Sequence, residues 1–251
     1  MATRLGCVKY LNARPLIHGW EGAVEYDHPS ALSRKLAAGE LDVALVSSFE
    51  FLRNPIYSVV DDVAVASNGP VYSVFLAHLG PLHALREVVV DPASATSVNL
   101  LQCLLADRGF TPELVRKGEM TSERGQLLIG DQAIRFRQES DGRHHFFDLG
   151  AGWLEQFRRP FVYALWLMRP EFPAKDKVAA ELRSLAKNNL AHLDAVIAAQ
   201  PEVDPAFCAF YYRECLRFGF GDPEKAGFRK FSEECAKRNL LSAPPGALAL
   251  V

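Results

Sequence analysis

The chain has 251 residues, 49% hydrophobic and 23% charged, with a formal net charge of −2. That balance belongs to a folded protein of one or two domains, and it supplies no basic face for a nucleic acid or an anionic membrane. The five cysteines, Cys7, Cys103, Cys208, Cys215 and Cys235, are odd in number and scattered, with no CxxC pair. They argue against a disulfide framework or a zinc site and for a reducing compartment. The first residues carry no apolar signal core, and no apolar run approaches the roughly 18 residues of a membrane span. The sequence therefore predicts a cytoplasmic protein with neither nucleic acid nor membrane as partner.

An apolar run over 5–8 predicts a buried strand. Lys9, Tyr10, Leu11, Asn12, Ala13 and Arg14 follow as a loop, and Pro15 suits the first turn of a helix. In open α/β sheets ligands sit outside the carboxyl ends of strands, where such loops gather. An amide, a phenol and two cations there suit a small anionic ligand. Asn12 also suits a helix cap, so both readings stand. A strand is predicted over 24–26, then a helix from Pro29 that stops at Gly39. The segment 41–46 reads as a strand buried on both faces, and it runs into Ser47, Ser48, Phe49 and Glu50. Ser47 or Ser48 can cap a helix from Phe49, contact a ligand, or do both.

Another apolar segment covers 59–66, and Asn68-Gly69-Pro70 is a strong turn signal. A β-branched and aromatic run over 71–77 reads as a long strand able to pass from one lobe to another. A short helix or turn over 81–86 and a strand over 88–90 follow. Ser94, Thr96 and Ser97 then stand before the apolar positions Leu100, Leu101, Leu104 and Leu105 of a helix. Free N–H groups and the helix dipole at such a start cradle anions, although one hydroxyl alone would serve as an ordinary cap. The stretch 111–126 is weakly patterned. A strand over 127–129 ends in Gly130-Asp131, ahead of a helix over 132–138. His144-His145 has no third ligand at metal spacing, so no metal is expected. A short helix around Trp153 and a β-forming run over 161–168 come next.

From Lys175 onward the pattern is helical, with further helices over 207–218 and 228–240. Phe207, Phe210, Tyr211 and Phe218 share helical spacing and read as core. The stretch 244–251 reads as a tail. Strands alternating with helices give an α/β class with mostly parallel sheets. The two long runs near 71–77 and 161–168 imply two lobes joined by two crossings, with a ligand cleft between them. Lobe 1 is expected over 1–75 and 165–251 and lobe 2 over 76–164. The chain holds no GxGxxG, P-loop, HExxH or GxSxG, which disfavours nucleotide, metal and serine-hydrolase chemistry.

Six stretches together resemble the MqnA-type chorismate dehydratases of the futalosine route to menaquinone. They are Tyr10-Leu11-Asn12-Ala13-Arg14-Pro15-Leu16, Leu41-Asp42-Val43 running into Ser47-Ser48-Phe49-Glu50, the run 91–97, Ile129-Gly130-Asp131-Gln132-Ala133, Asp148-Leu149-Gly150 with Trp153, and the run 160–166. The Tyr-Leu-Asn-x-x-Pro-Leu element separates this type from the dihydroxynaphthoate synthase of the same route. The resemblance implies a two-lobed fold like the type II periplasmic binding proteins, and no cofactor. It implies that chorismate, a small-molecule substrate, loses water to give 3-[(1-carboxyvinyl)oxy]benzoate in the cytoplasm, with a monomer and a dimer both open.

In that family the enolpyruvyl carboxylate of the substrate is thought to act as its own base, and Asn12 would orient the reacting groups. Ser47, Ser48, Ser94, Thr96 and Ser97 would bind carboxylates or hydroxyls. Gly130 and Asp131 would line the far wall, with Asp131 near the departing hydroxyl. Tyr10, Arg14, Glu50 and Tyr72 complete the candidates. Members often carry Arg where this chain has Ala95, a loss that Arg14 would offset or that marks a variant substrate. A non-catalytic cytoplasmic protein binding a small carboxylate on the same scaffold is the alternative, since fold does not fix function.

Overall fold

The computed structural model describes residues 2–91, 94–242 and 246–251. The chain enters in β1 (Leu5–Val8), takes a 3-10 turn over Leu11–Ala13 into the short α1 (Arg14–Ile17), and returns along β2 (Val24–Asp27). Pro29 opens α2 (Pro29–Ala38), and Gly39 ends it at φ +77°, a left-handed conformation that glycine adopts without strain. β3 (Val43–Ser47), α3 (Ser48–Arg53) and β4 (Ser58–Ser67) follow. Val43, Ala44, Leu45 and Val46 are wholly buried, as a strand covered on both faces requires.

The chain then builds a second sheet. It runs through β5 (Val74–His78), β6 (Glu87–Val89), α4 (Ala95–Asp107), β7 (Glu113–Val115), β8 (Arg124–Ile129), α5 (Gly130–Gln138), β9 (His145–Asp148) and α6 (Leu149–Phe157). β10 (Phe161–Met168) re-enters the first sheet, and α7 (Lys175–Ala191), α8 (Leu193–Ala198), α9 (Pro205–Phe210) and α10 (Asp222–Lys237) complete the structure.

The strand orders are β2-β1-β3-β10-β4 and β7-β6-β8-β5-β9. The expectation of mostly parallel sheets is corrected. β1 is parallel to β2 and β3, and β6 to β7 and β8, but β10 and β5 are antiparallel to both neighbours. The direction follows from the route. β1, β3 and β8 end at the cleft, whereas a strand arriving from the other lobe enters at the cleft and runs away from it. The chain leaves the first sheet after Ser67 and joins the second at Val74; it leaves the second after Asp148 and rejoins the first at Phe161.

Three other expectations change. The weakly patterned stretch 111–126 contains β7. The helix expected over 207–218 stops at Phe210 and continues as one π turn over Tyr211–Cys215. Of the four aromatics read there as core, Tyr211 and Phe218 are buried, Phe207 is half-buried and Phe210 is 45% exposed, so Phe210 is not core. The stretch read as a tail, as far as it is described, pairs with β4. The N–H groups of Val59 and Val251 donate to the carbonyls of Ala249 and Val59 at 2.8 and 2.9 Å. Arg217 bonds Ala66 further along β4, so that strand's outer edge is covered at both ends.

The two crossings meet at Asp148. Its carboxylate accepts the N–H groups of Val71 (3.1 Å), Tyr72 (2.9 Å) and Ala151 (3.0 Å). Tyr72 sits at φ +67°, a costly conformation for a residue with a Cβ, and these bonds hold it there. The Arg137 guanidinium lies 4.4 Å from the centre of the Tyr72 ring. Away from the cleft, Arg238 at the end of α10 pairs with Asp107 of α4 and so ties the lobes together on the far side. Arg238, Lys230 and Lys237 all hold the carboxylate of Glu234.

Replacing Asp148 with Ala leaves three N–H groups of the crossings without an acceptor. A loss of about 2–4 kcal/mol of unfolding free energy in urea is expected. Glu234 supplies a pH signature. Burial pushes its carboxyl up, but the bonds from Lys230, Lys237 and Arg238 outweigh that and bring it from 4.5 to about 2. Its contribution is therefore complete above about pH 4.5 and fades as pH falls towards 2. Glu234→Gln should flatten that part of the stability curve, as measured by urea unfolding across pH 2–6.

Candidate active site

The loop after β1 is held by its own backbone. Ala13 N–H donates to Tyr10 O at 3.0 Å, and Pro15 fits the first turn of α1. The N-cap of α1 is Ala13, and no side chain caps it. Asn12 is thus not the cap of this helix. It is half-buried and faces a cavity of about 60 Å³ between the lobes.

The structure brings Tyr10, Asn12, Ser47, Ser94, Thr96, Ser97 and Gly130 around that cavity. Ser47 stands at the carboxyl end of β3. Ser94, Thr96 and Ser97 stand at the start of α4, and neither α3 nor α4 is capped by the side chain of its own N-cap residue, Ser47 or Ser94. Gly130 begins α5 at φ +63°, its N–H bonded to Ser73 O at 2.8 Å. A Cβ built on it would lie 2.8 Å from the Tyr10 ring, so this approach of α5 to the opposite wall requires glycine.

Ser47 and Thr96 bond to each other across the cleft. Their hydroxyls are in contact, Thr96 N–H donates to Ser47 Oγ at 3.1 Å, and Phe49 N–H donates to Thr96 Oγ1 at 3.1 Å. A second cross-lobe bond runs from Leu11 N–H to Asp131 Oδ1 at 2.9 Å. Ligand clefts usually measure roughly 300–1,000 Å³, so these contacts must part to admit a ligand.

Five candidates lie off the cavity. Ser48 is buried and donates to Val162 O at 2.7 Å. Glu50 is buried against Arg53. Tyr72 belongs to the crossing. Arg14 and Asp131 line a neighbouring cavity of about 350 Å³, behind the loop that carries Asn12. Arg14 there lies 3.9 Å from Glu202, so it does not replace a cation near Ala95. The part of the 91–97 motif at 92–93 lies outside the described residues.

Sequence reasoning missed Tyr163, which lines the cavity from β10 with Val8, Val74 and Ile129. A single hydroxyl in an otherwise apolar strand was the available signal. Its hydroxyl bonds Ser67 Oγ at 3.0 Å. Burial, then the nearby Asp148 carboxylate, raise it well above the usual phenol range. Burial, then Asp91 and Asp131, raise Tyr10 as well. The Tyr211 hydroxyl, close to Asn12, donates to Ser73 Oγ at 2.6 Å, and burial raises it too. Burial pushes the Cys7 thiol, one residue from the lining Val8, up to about 12.

The cavity wall therefore offers neutral hydroxyls, one amide and the N–H groups at the start of α4. It suits the carboxylates and hydroxyls of a small polar ligand, with positioning rather than a protein base as its chemistry. Among the described residues no three His, Cys, Asp or Glu side chains gather as a metal site, and no helix is long and apolar enough to cross a membrane.

Comparison with known proteins bears on the family and the fold. Residues 3–237 match the family described as menaquinone biosynthesis. The chain is 32% identical to the chorismate dehydratase of Thermus thermophilus, covering 91% of this chain and 93% of that protein. Among solved structures, a protein of Archaeoglobus fulgidus superposes with a TM-score of 0.70 at 16% identity, over 95% of this chain and 98% of that one. The periplasmic aliphatic sulphonate binding protein SsuA of Escherichia coli gives 0.61 at 12% identity, over 97% and 94%. The two-lobed fold is thus that of the periplasmic binding proteins, and the chain belongs to the menaquinone biosynthesis family.

Gly130→Ala tests the tight approach of α5 to Tyr10. The Cβ meets the ring and the backbone is strained, so a cost of about 1–3 kcal/mol is expected, a fall in Tm of roughly 2–10 °C by thermal unfolding.

Proposed function

We propose that this chain is a cytoplasmic lyase that dehydrates chorismate to 3-[(1-carboxyvinyl)oxy]benzoate. The observation that carries the reading is the placement of Asn12, within the Tyr-Leu-Asn-x-x-Pro-Leu element, on a cavity walled by neutral donors. The kinship with the chorismate dehydratase of Thermus thermophilus across nearly the whole of both chains supports it.

The reaction breaks a ring C–H bond and the neighbouring C–OH bond, and an aromatic ring results. Aromatisation supplies the driving force. The protein must hold the diene in a reactive conformation and keep water out. The enolpyruvyl carboxylate of the substrate takes the ring proton, the C–H electron pair enters the ring as the neighbouring C–O bond breaks, and the carboxylic acid so formed returns that proton to the departing hydroxyl, which leaves as water. Asn12 orients the reacting groups by hydrogen bonding. Ser94, Thr96, Ser97 and the N–H groups at the start of α4 hold a carboxylate, and Ser47 contributes from the facing lobe. Tyr10 and Tyr163 remain neutral, because burial holds both phenols above their usual range.

The test is incubation with chorismate followed by mass spectrometry. A product lighter by one water is expected, and Asn12→Ala should slow its formation at least about 10²-fold while the Tm stays within a few degrees. No product from the unaltered chain, combined with a chorismate-induced rise in Tm, would replace the lyase by a carboxylate-binding protein on the same fold. An Asn12→Ala variant at full rate would remove Asn12 from the mechanism.

A further inference from the structure

Leu11, the residue before Asn12, has both of its peptide groups taken by side chains from distant parts of the chain. Its N–H donates to Asp131 Oδ1 at 2.9 Å, and its carbonyl accepts the Tyr212 hydroxyl at 3.0 Å. Tyr212 follows α9, on the Asn12 side of the molecule. Asp131 lies in the first turn of α5, in the opposite lobe. Of the two clamps on Leu11, only the Asp131 bond crosses the cleft. Asp131 does not line the cavity that holds Asn12. Its surroundings lie on the other side of the loop, with Arg14, Arg135 and Glu202. Burial raises its carboxyl above the usual range, with the Leu11 N–H, Arg14 and Arg135 opposing. Gly130, its neighbour, presses against Tyr10 on the other flank of the same loop. α5 thus meets the Asn12 loop twice, once by contact and once by a hydrogen bond.

We propose that Asp131 is a positioning residue: by accepting the Leu11 N–H across the cleft, its carboxylate seats Asn12 over the cavity only when the lobes are closed. The inference rests on the reading of Asn12 as the orienting residue in chorismate dehydration. It changes the expected role of Asp131 from substrate contact to support of a contact. When the lobes part, Leu11 N–H passes to water and one of the two clamps on the loop is released. Closure then sets the reacting geometry as well as excluding water, so the loss of Asp131 falls on the chemical step rather than on substrate capture.

The experiment compares Asp131→Ala and Asp131→Asn with the unaltered enzyme in steady-state chorismate turnover, with Tm recorded for each. Asp131→Ala should lower kcat about 10–100-fold while KM stays within about threefold. The side-chain carbonyl of Asp131→Asn still accepts the Leu11 N–H, so that variant should recover most of the rate. An Asp131→Ala variant with unaltered kcat overturns the inference. So does a rise in KM at unaltered kcat, which would make Asp131 a substrate contact, and so does an Asn variant as slow as the Ala variant. Absence of turnover in the unaltered chain would instead remove the underlying reading, which separates the two failures.

Discussion

Three N–H groups converge on the Asp148 carboxylate, and through them the two passages between the sheets hold each other. A buried carboxylate that accepts several backbone N–H groups is a strong local constraint, because each bond is charge-assisted and each N–H would otherwise be orphaned. Here it fixes Tyr72 in a left-handed conformation and so sets the direction in which β5 enters the second sheet. Trp153, fully buried, packs on Phe161 and Phe231 just beyond, with its indole N–H bonded to Pro160 O at 3.2 Å. With the crossings braced, the carboxyl ends of β1, β3 and β8 face one another. The cavity is a consequence of that arrangement.

The contacts that close the cleft are few and polar. Ser47 with Thr96 and Leu11 with Asp131 span it by hydrogen bonds, beside the contact of Gly130 with the Tyr10 ring. Each bond exchanges for one with water when the lobes part, so its net contribution is only about 0.5–1.5 kcal/mol, rising for the charged acceptor. Weak, replaceable contacts suit a cleft that must open for every ligand. A ligand bearing carboxylates and hydroxyls can take over the Ser47 and Thr96 hydroxyls and favour closure with bonds of its own, which is a population shift driven by differential contacts.

Much of this was legible in the sequence. β1, β3 and β10 are apolar runs, and α2 is an amphipathic helix bounded by Pro29 and Gly39, so their local signals agreed with the final fold. The candidate hydroxyls at strand ends were equally visible, because a strand–loop–helix pattern places them by geometry alone. β7 was not, since three residues at a sheet edge carry almost no pattern and their pairing with β6 is non-local. The π turn over Tyr211–Cys215 was hidden by an aromatic spacing that reads as plain helix. Arg14 and Asp131 stood inside the motifs yet line the cavity behind the loop, and Tyr163 stood inside a motif but read as strand. In each case the missing information was which side of a short segment faces the cleft, and that is decided by contacts far away in the chain, such as those of Leu11 with Asp131 and Tyr212.

The neutrality of the cavity wall bears directly on the proposed chemistry. Ala95 supplies no cation where relatives of the resembled type often carry Arg, and Arg14 is turned towards Glu202. A dianionic substrate bound there is held by N–H groups, hydroxyls and the positive end of α4, a weaker grip than a guanidinium gives. The same weakness favours a substrate that serves as its own base. An arginine paired with the enolpyruvyl carboxylate would stabilise its charged form and lower its basicity, whereas neutral donors in a dry cavity leave it the stronger base. On the proposed reading, affinity given up at the binding step would be regained as reactivity, closure of the cleft turning one into the other by removing the water that otherwise solvates the carboxylate.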